Sequence, residues 1–163
     1  MLPHHPHIVL YQPEIPQNTG AAARLAAGSG SRLHLVQPFG FSVADKQLRR
    51  PGLDYWPFLD LEIHNDLEEV LALFPNRCVF LSKKAQRPYW EIPLERDVLV
   101  FGRETSGLPA ELFQRFPEAF YQIPMYHAGV RSQNLANAVA VVAYDRIRRL
   151  AERETRVDGH GLV

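Results

Sequence analysis

The chain has one cysteine, two tryptophans, two methionines and no net charge across 163 residues. A lone cysteine forbids an internal disulfide and any Cys-rich zinc cluster, which suits a reducing compartment. Cys78 stands in the run Cys78-Val79-Phe80-Leu81 and reads as a buried strand thiol in preference to a nucleophile. No stretch approaches the roughly 20 apolar residues of a membrane span, and residues 1–7 lack the charged-then-apolar pattern of a secretion signal. A cytoplasmic protein is the expectation. The 18 basic residues are offset by 18 acidic ones, so a nucleic-acid partner has to be engaged by local basic patches and not by a global positive field.

What is present is apolar material for one core: 46% of the residues are hydrophobic, in a length that fits one domain. Apolar runs at 8–11, 33–36, 79–81, 98–101 and 120–123 read as strands. Helical patterns lie between them at 19–27, 66–74 and 109–116, the last opened by Pro109. Strands alternating with helices predict an α/β domain with a mostly parallel sheet flanked by helices, spanning 1–153. The longest helix is expected over 132–153, followed by a flexible tail at 154–163. That helix is apolar almost all round from Leu135 to Ala143, then basic at Arg146, Arg148 and Arg149. Such a surface fits burial against a second subunit or a central place in a monomer.

The common nucleotide-binding patterns fail. Gly102 and Gly107 have the spacing of a P-loop, but Leu108-Pro109 stand where that loop needs Lys and then Ser or Thr. Gly28-Ser29-Gly30 begins like a dinucleotide fingerprint, yet it ends a helix and Leu33 holds the third glycine position, so it reads as a helix-ending turn. Neither a Ser-His-Asp elbow of the G-x-S-x-G type nor a His/Cys/Asp metal constellation is read in the sequence. His4, His5 and His7 read as a solvated end in preference to a metal site.

Three segments carry the chemistry. In the first, Pro13-Glu14-Ile15-Pro16-Gln17-Asn18-Thr19-Gly20 runs into a helix presenting Arg24. The six-residue offset lets Asn18 and Arg24 place an amide and a guanidinium around one ligand, while Asn18 as a helix cap is the competing account. Arg24 among alanines calls for an anionic partner, either a phosphate or ribose group or an internal carboxylate. The second segment, Gly102-Arg103-Glu104-Thr105-Ser106-Gly107-Leu108-Pro109, follows an apolar strand. Its glycines permit close backbone approach to a ligand, and Glu104 lies at a strand's C-terminal edge, where open α/β sheets bind ligands. A plain strand-to-helix turn is the alternative. The third is Ile123-Pro124-Met125 with Arg131-Ser132-Gln133-Asn134-Leu135, where Ser132 and Asn134 either face the same loop or simply cap the helix.

Taken together, these segments and the stretch Asp45-Lys46-Gln47-Leu48-Arg49-Arg50-Pro51-Gly52-Leu53-Asp54-Tyr55 resemble the SPOUT (SpoU-TrmD) superfamily, and within it the small tRNA 2'-O-methyltransferases of the wobble nucleotide. The resemblance runs from Ile8 to about Leu150. It implies a C-terminal deep trefoil knot, a homodimer, S-adenosyl-L-methionine as cofactor and the tRNA anticodon loop as partner, with no metal and no membrane. It further implies that Leu81, Gly102, Ile123 and Ser132 hold the adenosyl group, with Met125, Asn134 and Leu135 around it. Arg24 becomes the principal catalytic candidate, with Asn18 and Glu104 beside it and Tyr144 as a helper. RNA contact falls to Lys46, Arg49 and Arg50, with Tyr55 or Trp56 stacking on an unpaired base. The segment 126–130 is slightly longer than the family pattern. Two other functions are compatible with the motifs: the same transfer at another tRNA or ribosomal RNA site, and a non-catalytic RNA-binding module.

Overall fold

The computed structural model describes residues 5–43 and 53–158, so Lys46, Arg49 and Arg50 lie outside the described residues. Among the described residues six strands form one sheet: β1 His7–Tyr11, β2 Arg32–Val36, β3 Leu61–His64, β4 Cys78–Leu81, β5 Val98–Phe101 and β6 Phe120–Tyr121. Their order is β3-β2-β1-β5-β4-β6, and every pairing is parallel. Four α-helices cover the sheet: α1 Pro16–Ser29, α2 Leu67–Leu73, α3 Glu111–Arg115 and α4 Leu135–Asp158. The α/β class and the parallel sheet are as the alternation of patterns predicts.

The sheet splits the core into two layers because successive strand residues face opposite ways. On one face Ile8, Leu10, Leu33, Leu35, Leu99 and Phe101 meet Ala22, Ala23 and Ala26 of α1 and Val139, Val142 and Ala143 of α4. On the other, Val9, Val36, Val98, Val100 and Phe80 meet Leu67 and Val70 of α2 and Leu112 of α3. Central strands buried on both faces explain the near-continuous apolar runs at β1 and β5. Cys78 lies in the second layer, 7% exposed, and burial pushes its thiol up to about 12.

Three expectations change. Strand β3 was not legible, since Leu61-Glu62-Ile63-His64 is an edge strand with a charged residue and half-exposed Ile63. Helix α4 starts at Leu135, not at Ser132, because Asn134 Oδ1 accepts the N–H of Asn137 and so caps it there. It then runs to Asp158, held beyond 153 by Thr155 Oγ1 donating to Ala151 O, so 154–158 is helix and not tail. The apolar surface of α4 does extend round the helix: Leu135, Val139, Val142 and Ala143 are buried, while Val141 and Tyr144 face outward at 40% and 51% exposure. The turn at Gly28 to Gly30 does end a helix, with Gly30 in the left-handed region at φ 68° capping α1.

Candidate active site

The C-terminal ends of β4 and β5 and the segment after β6 open into a cavity of about 560 Å³, within the range of cofactor sites. Leu81, Gly102, Ile123, Met125, Ser132, Asn134 and Leu135 all line it, as do Asn18 and Glu104. The structure therefore gathers into one place all seven residues named for the cofactor and two of those named for catalysis.

The loop after β5 is pinched shut on itself. Arg103 and Gly107 exchange backbone hydrogen bonds of 3.2 and 3.0 Å, and Gly107 takes φ 69°. A Cβ on Gly102 would come within 2.5 Å of the Gly107 carbonyl carbon, so no other residue fits there without opening the loop. The pinched loop directs Glu104 back toward the loop after β1. Its carboxylate accepts the N–H of Glu14 at 2.8 Å, that of Ile15 at 3.1 Å and Nδ2 of Asn18 at 3.3 Å. Glu14 returns the contact. Its carboxylate accepts the hydroxyl of Thr105 at 2.8 Å and the Thr105 N–H at 3.2 Å, with Arg103 Nε 3.7 Å away. The Thr105 hydroxyl and amide hold the Glu14 carboxyl below the ordinary range. The two loops are thus clamped reciprocally.

Asn18 extends the chain of contacts, since its Oδ1 accepts Nδ2 of Asn134 at 2.9 Å. Glu104, Asn18 and Asn134 form a polar relay that ties the ends of β1 and β5 to the start of α4. It accounts for both readings of Asn134, which caps α4 through Oδ1 and faces the cavity through Nδ2. Apolar Leu81, Ile123, Met125 and Leu135 supply walls for a flat ring system, and Gln133 Nε2 reaches Met125 Sδ at 3.7 Å. Apolar walls interspersed with fixed polar groups such as Asn18, Glu104, Ser132 and Asn134 suit an adenosyl cofactor in both size and chemistry.

The other predicted residues sit elsewhere. Arg24 is exposed on α1, with its guanidinium carbon 5.7 Å from the Tyr55 ring centroid, and is not among the cavity's lining residues. Tyr55 donates its hydroxyl to Gly20 O at 3.3 Å, and burial raises its pKa. Tyr55 and Trp56 are half-buried against the core, which anchors them beside α1. Tyr144 projects from the exposed side of α4. Sequence reasoning missed Glu14, Thr105, Lys83 and Lys84. Glu14 lies in a quoted motif, but its partner is 91 positions away. Lys83 and Lys84, also lining the cavity, follow β4 and carry no motif.

The family described as SpoU rRNA methylase matches residues 5–144 of the chain. A tRNA (cytidine(34)-2'-O)-methyltransferase of Methylovorus glucosotrophus is 47% identical over 145 residues, covering 87% of this chain and 94% of its own. The tRNA (cytidine(34)-2'-O)-methyltransferase of Escherichia coli K12 is 45% identical over 147 residues, covering 88% and 93%. A solved structure from work on 2-OH methylation of C/U34 on tRNA superposes with a TM-score of 0.85 at 45% identity, covering 93% of this chain and 99% of that one. The SpoU methyltransferase AviRb of Streptomyces viridochromogenes, solved with AdoMet, shares the fold at a TM-score of 0.75 and 20% identity, covering 91% of this chain and 60% of its own.

Proposed function

The chain belongs to the SpoU methylase family, and on that premise we propose that it transfers a methyl group from S-adenosylmethionine to the ribose 2'-hydroxyl of the tRNA wobble nucleotide, cytidine or a modified uridine. The observation that carries this reading is the convergence of three distant segments on one cavity through the relay of Glu104, Asn18 and Asn134. The relatives named above act at cytidine 34 and match this chain over nearly their whole length.

S-Adenosylmethionine, when bound, supplies an electrophilic methyl group on a sulfonium. Leu81, Ile123, Met125 and Leu135, which line the cavity, would enclose the adenosyl portion, while Gly102 would bring backbone close to it and Ser132 and Asn134 would hold its polar edge. The chain's remaining task is to align the attacking hydroxyl and assist loss of its proton. Arg24 orients that hydroxyl and a neighbouring phosphate. A guanidinium offers only donors and has no lone pair to take up a proton, so the proton leaves to the phosphate or solvent. Tyr55 positions Arg24, and Tyr144 assists from α4.

A homodimer completes the site, because Arg24 does not line its own chain's cavity. In this reading the segment after β6 is threaded as a knot. Supporting this, it is hydrogen-bonded to the 82–89 loop by Ser82 N to Tyr121 O, Gln122 N to Arg87 O and Tyr89 N to Gln122 O, at 2.9, 2.8 and 2.8 Å. RNA contact is assigned to Lys46, Arg49 and Arg50 with Tyr55 and Trp56, at the anticodon loop of a cytoplasmic tRNA. No helix of the described residues is long and apolar enough to cross a membrane.

The test is nucleotide-resolution mapping of 2'-O-methylation in bulk tRNA with and without the purified protein and S-adenosylmethionine. Methylation gained at the wobble nucleotide is the expected result. Methylation elsewhere in tRNA or only in ribosomal RNA overturns the site, and cofactor binding without any transfer points to a non-catalytic RNA-binding module.

A further inference from the structure

On the face of the sheet that carries α2 and α3, away from the cavity, three imidazoles stand side by side across β1, β2 and β3. His34 is fully buried and His64 is 3% exposed. Nδ1 of His34 and Nε2 of His64 are 2.9 Å apart. The carboxylate of Glu62 straddles the same two nitrogens, 3.7 Å from His34 Nδ1 and 4.0 Å from His64 Nε2. The strand register places them so: His34 pairs with Glu62 across β2 and β3, and His64 follows two residues along β3 on the same face.

The two facing nitrogens can share one hydrogen bond or can both turn lone pairs toward a common ion. One proton at most lies between the two facing nitrogens, and the half-exposed Glu62 carboxylate, 3.7 and 4.0 Å away, is hydrogen-bonded to neither. The outer nitrogens, in contrast, each have a partner. His34 Nε2 lies 2.9 Å from His7 Nδ1, and His64 Nδ1 lies 3.6 Å from Glu69 Oε2. Glu69 is itself held by the backbone N–H and Nδ2 of Asn65 at 3.0 and 2.9 Å. With their protons on these outer nitrogens, both histidines turn bare lone pairs on one point, beside a carboxylate. That is the arrangement of metal-bound histidines oriented by a second ring of acceptors.

We propose that His34, His64 and Glu62 form a binding site for a divalent transition ion, zinc in preference, which pins edge strand β3 to β2. Two imidazoles and a carboxylate are a zinc ligand set. Ligand bonds of about 2.0–2.2 Å set donors about 3.3 Å apart around a tetrahedral ion, a separation the observed contacts bracket. The half-exposed Glu62 gives the ion a route in and leaves the fourth position to solvent. Arg32 stands 3.9 Å from Glu62 but is anchored on Asp60 at 2.7 Å, so it does not claim the carboxylate. The site is structural, and none of its three residues lines the cavity.

The full-length protein, stripped with a chelator, is titrated with zinc sulfate and with cobalt chloride. One equivalent per chain is expected, with the visible cobalt bands of a tetrahedral site and a raised Tm. Glu62→Gln, at a half-exposed position that does not threaten folding, should weaken binding at least about tenfold, and His64→Gln should abolish it. A His4→Ala/His5→Ala double variant should bind as the wild type does. Absence of bound zinc at micromolar concentration, unchanged affinity in Glu62→Gln, or loss of binding in the double variant would each overturn the proposal. Should His64→Gln not fold, the Glu62→Gln measurement decides.

Discussion

At the scale of single residues, the site depends on groups whose freedom has been removed. Gly102 is the clearest case: a methyl group there meets backbone at 2.5 to 2.7 Å on three atoms. Gly102→Ala is expected to cost about 1–3 kcal/mol of stability through overpacking and to abolish S-adenosylmethionine binding. Calorimetric titration and urea denaturation of the same sample measure both. Arg24 has the opposite character, exposed and not among the residues that line the cavity of its own chain. Arg24→Ala should lower kcat about 100-fold or more, as loss of one transition-state donor does, while cofactor affinity stays at the wild-type value. Full activity in that variant would remove Arg24 from the mechanism. Glu104 was legible as a carboxylate at a strand edge. Its three donors were not, because two are backbone amides of Glu14 and Ile15, and such partners have no sequence signature.

At the scale of elements, two joints matter. Asn134 both caps α4 and holds Asn18, so Asn134→Ala should cost about 1 kcal/mol as a lost cap and raise the KM for S-adenosylmethionine. A shift in the denaturation midpoint with KM unchanged would show a cap and no more. Arg77 and Asp97 join the starts of β4 and β5 through bonds of 2.7 and 2.6 Å. Burial by itself would raise the Asp97 carboxyl, but the Arg77 hydrogen bonds and charge outweigh it and the pKa is lowered. The unfolded chain therefore takes up this proton first as pH falls. The pair's contribution is complete above about pH 4, the range of an unfolded aspartate, and disappears as pH drops through the folded value. The stability gap between wild type and Asp97→Asn at pH 7 should close in that acid range, as urea midpoints at a series of pH values would record. The apolar strands were readable because burial on both faces imposes a continuous run. Edge strand β3 was not, since one side of it meets solvent and its sequence carries Glu62 and His64.

At the scale of the whole molecule, α4 leaves Val141 and Tyr144 on its outer face, and Ile15 is exposed beside α1 at 42%. Light scattering should give a particle of about twice 18.6 kDa, and Val141→Glu should shift it toward one chain with loss of methylation. A concentration-independent monomer with full activity would remove the dimer from the mechanism. The sequence by itself determined the class of fold and the three segments of the site, because hydrophobic periodicity and turn chemistry are local and survive in one dimension. Tertiary structure alone decided which of those residues meet. The reciprocal clamp of Glu14 and Glu104 and the relay through Asn18 to Asn134 close across about 90 and 116 positions. His34 meets Glu62 and His64 across 30 positions at most, brought onto one face by strand register. Contacts of that kind depend on the order in which strands are laid into the sheet, a property of the folded chain that no local pattern encodes.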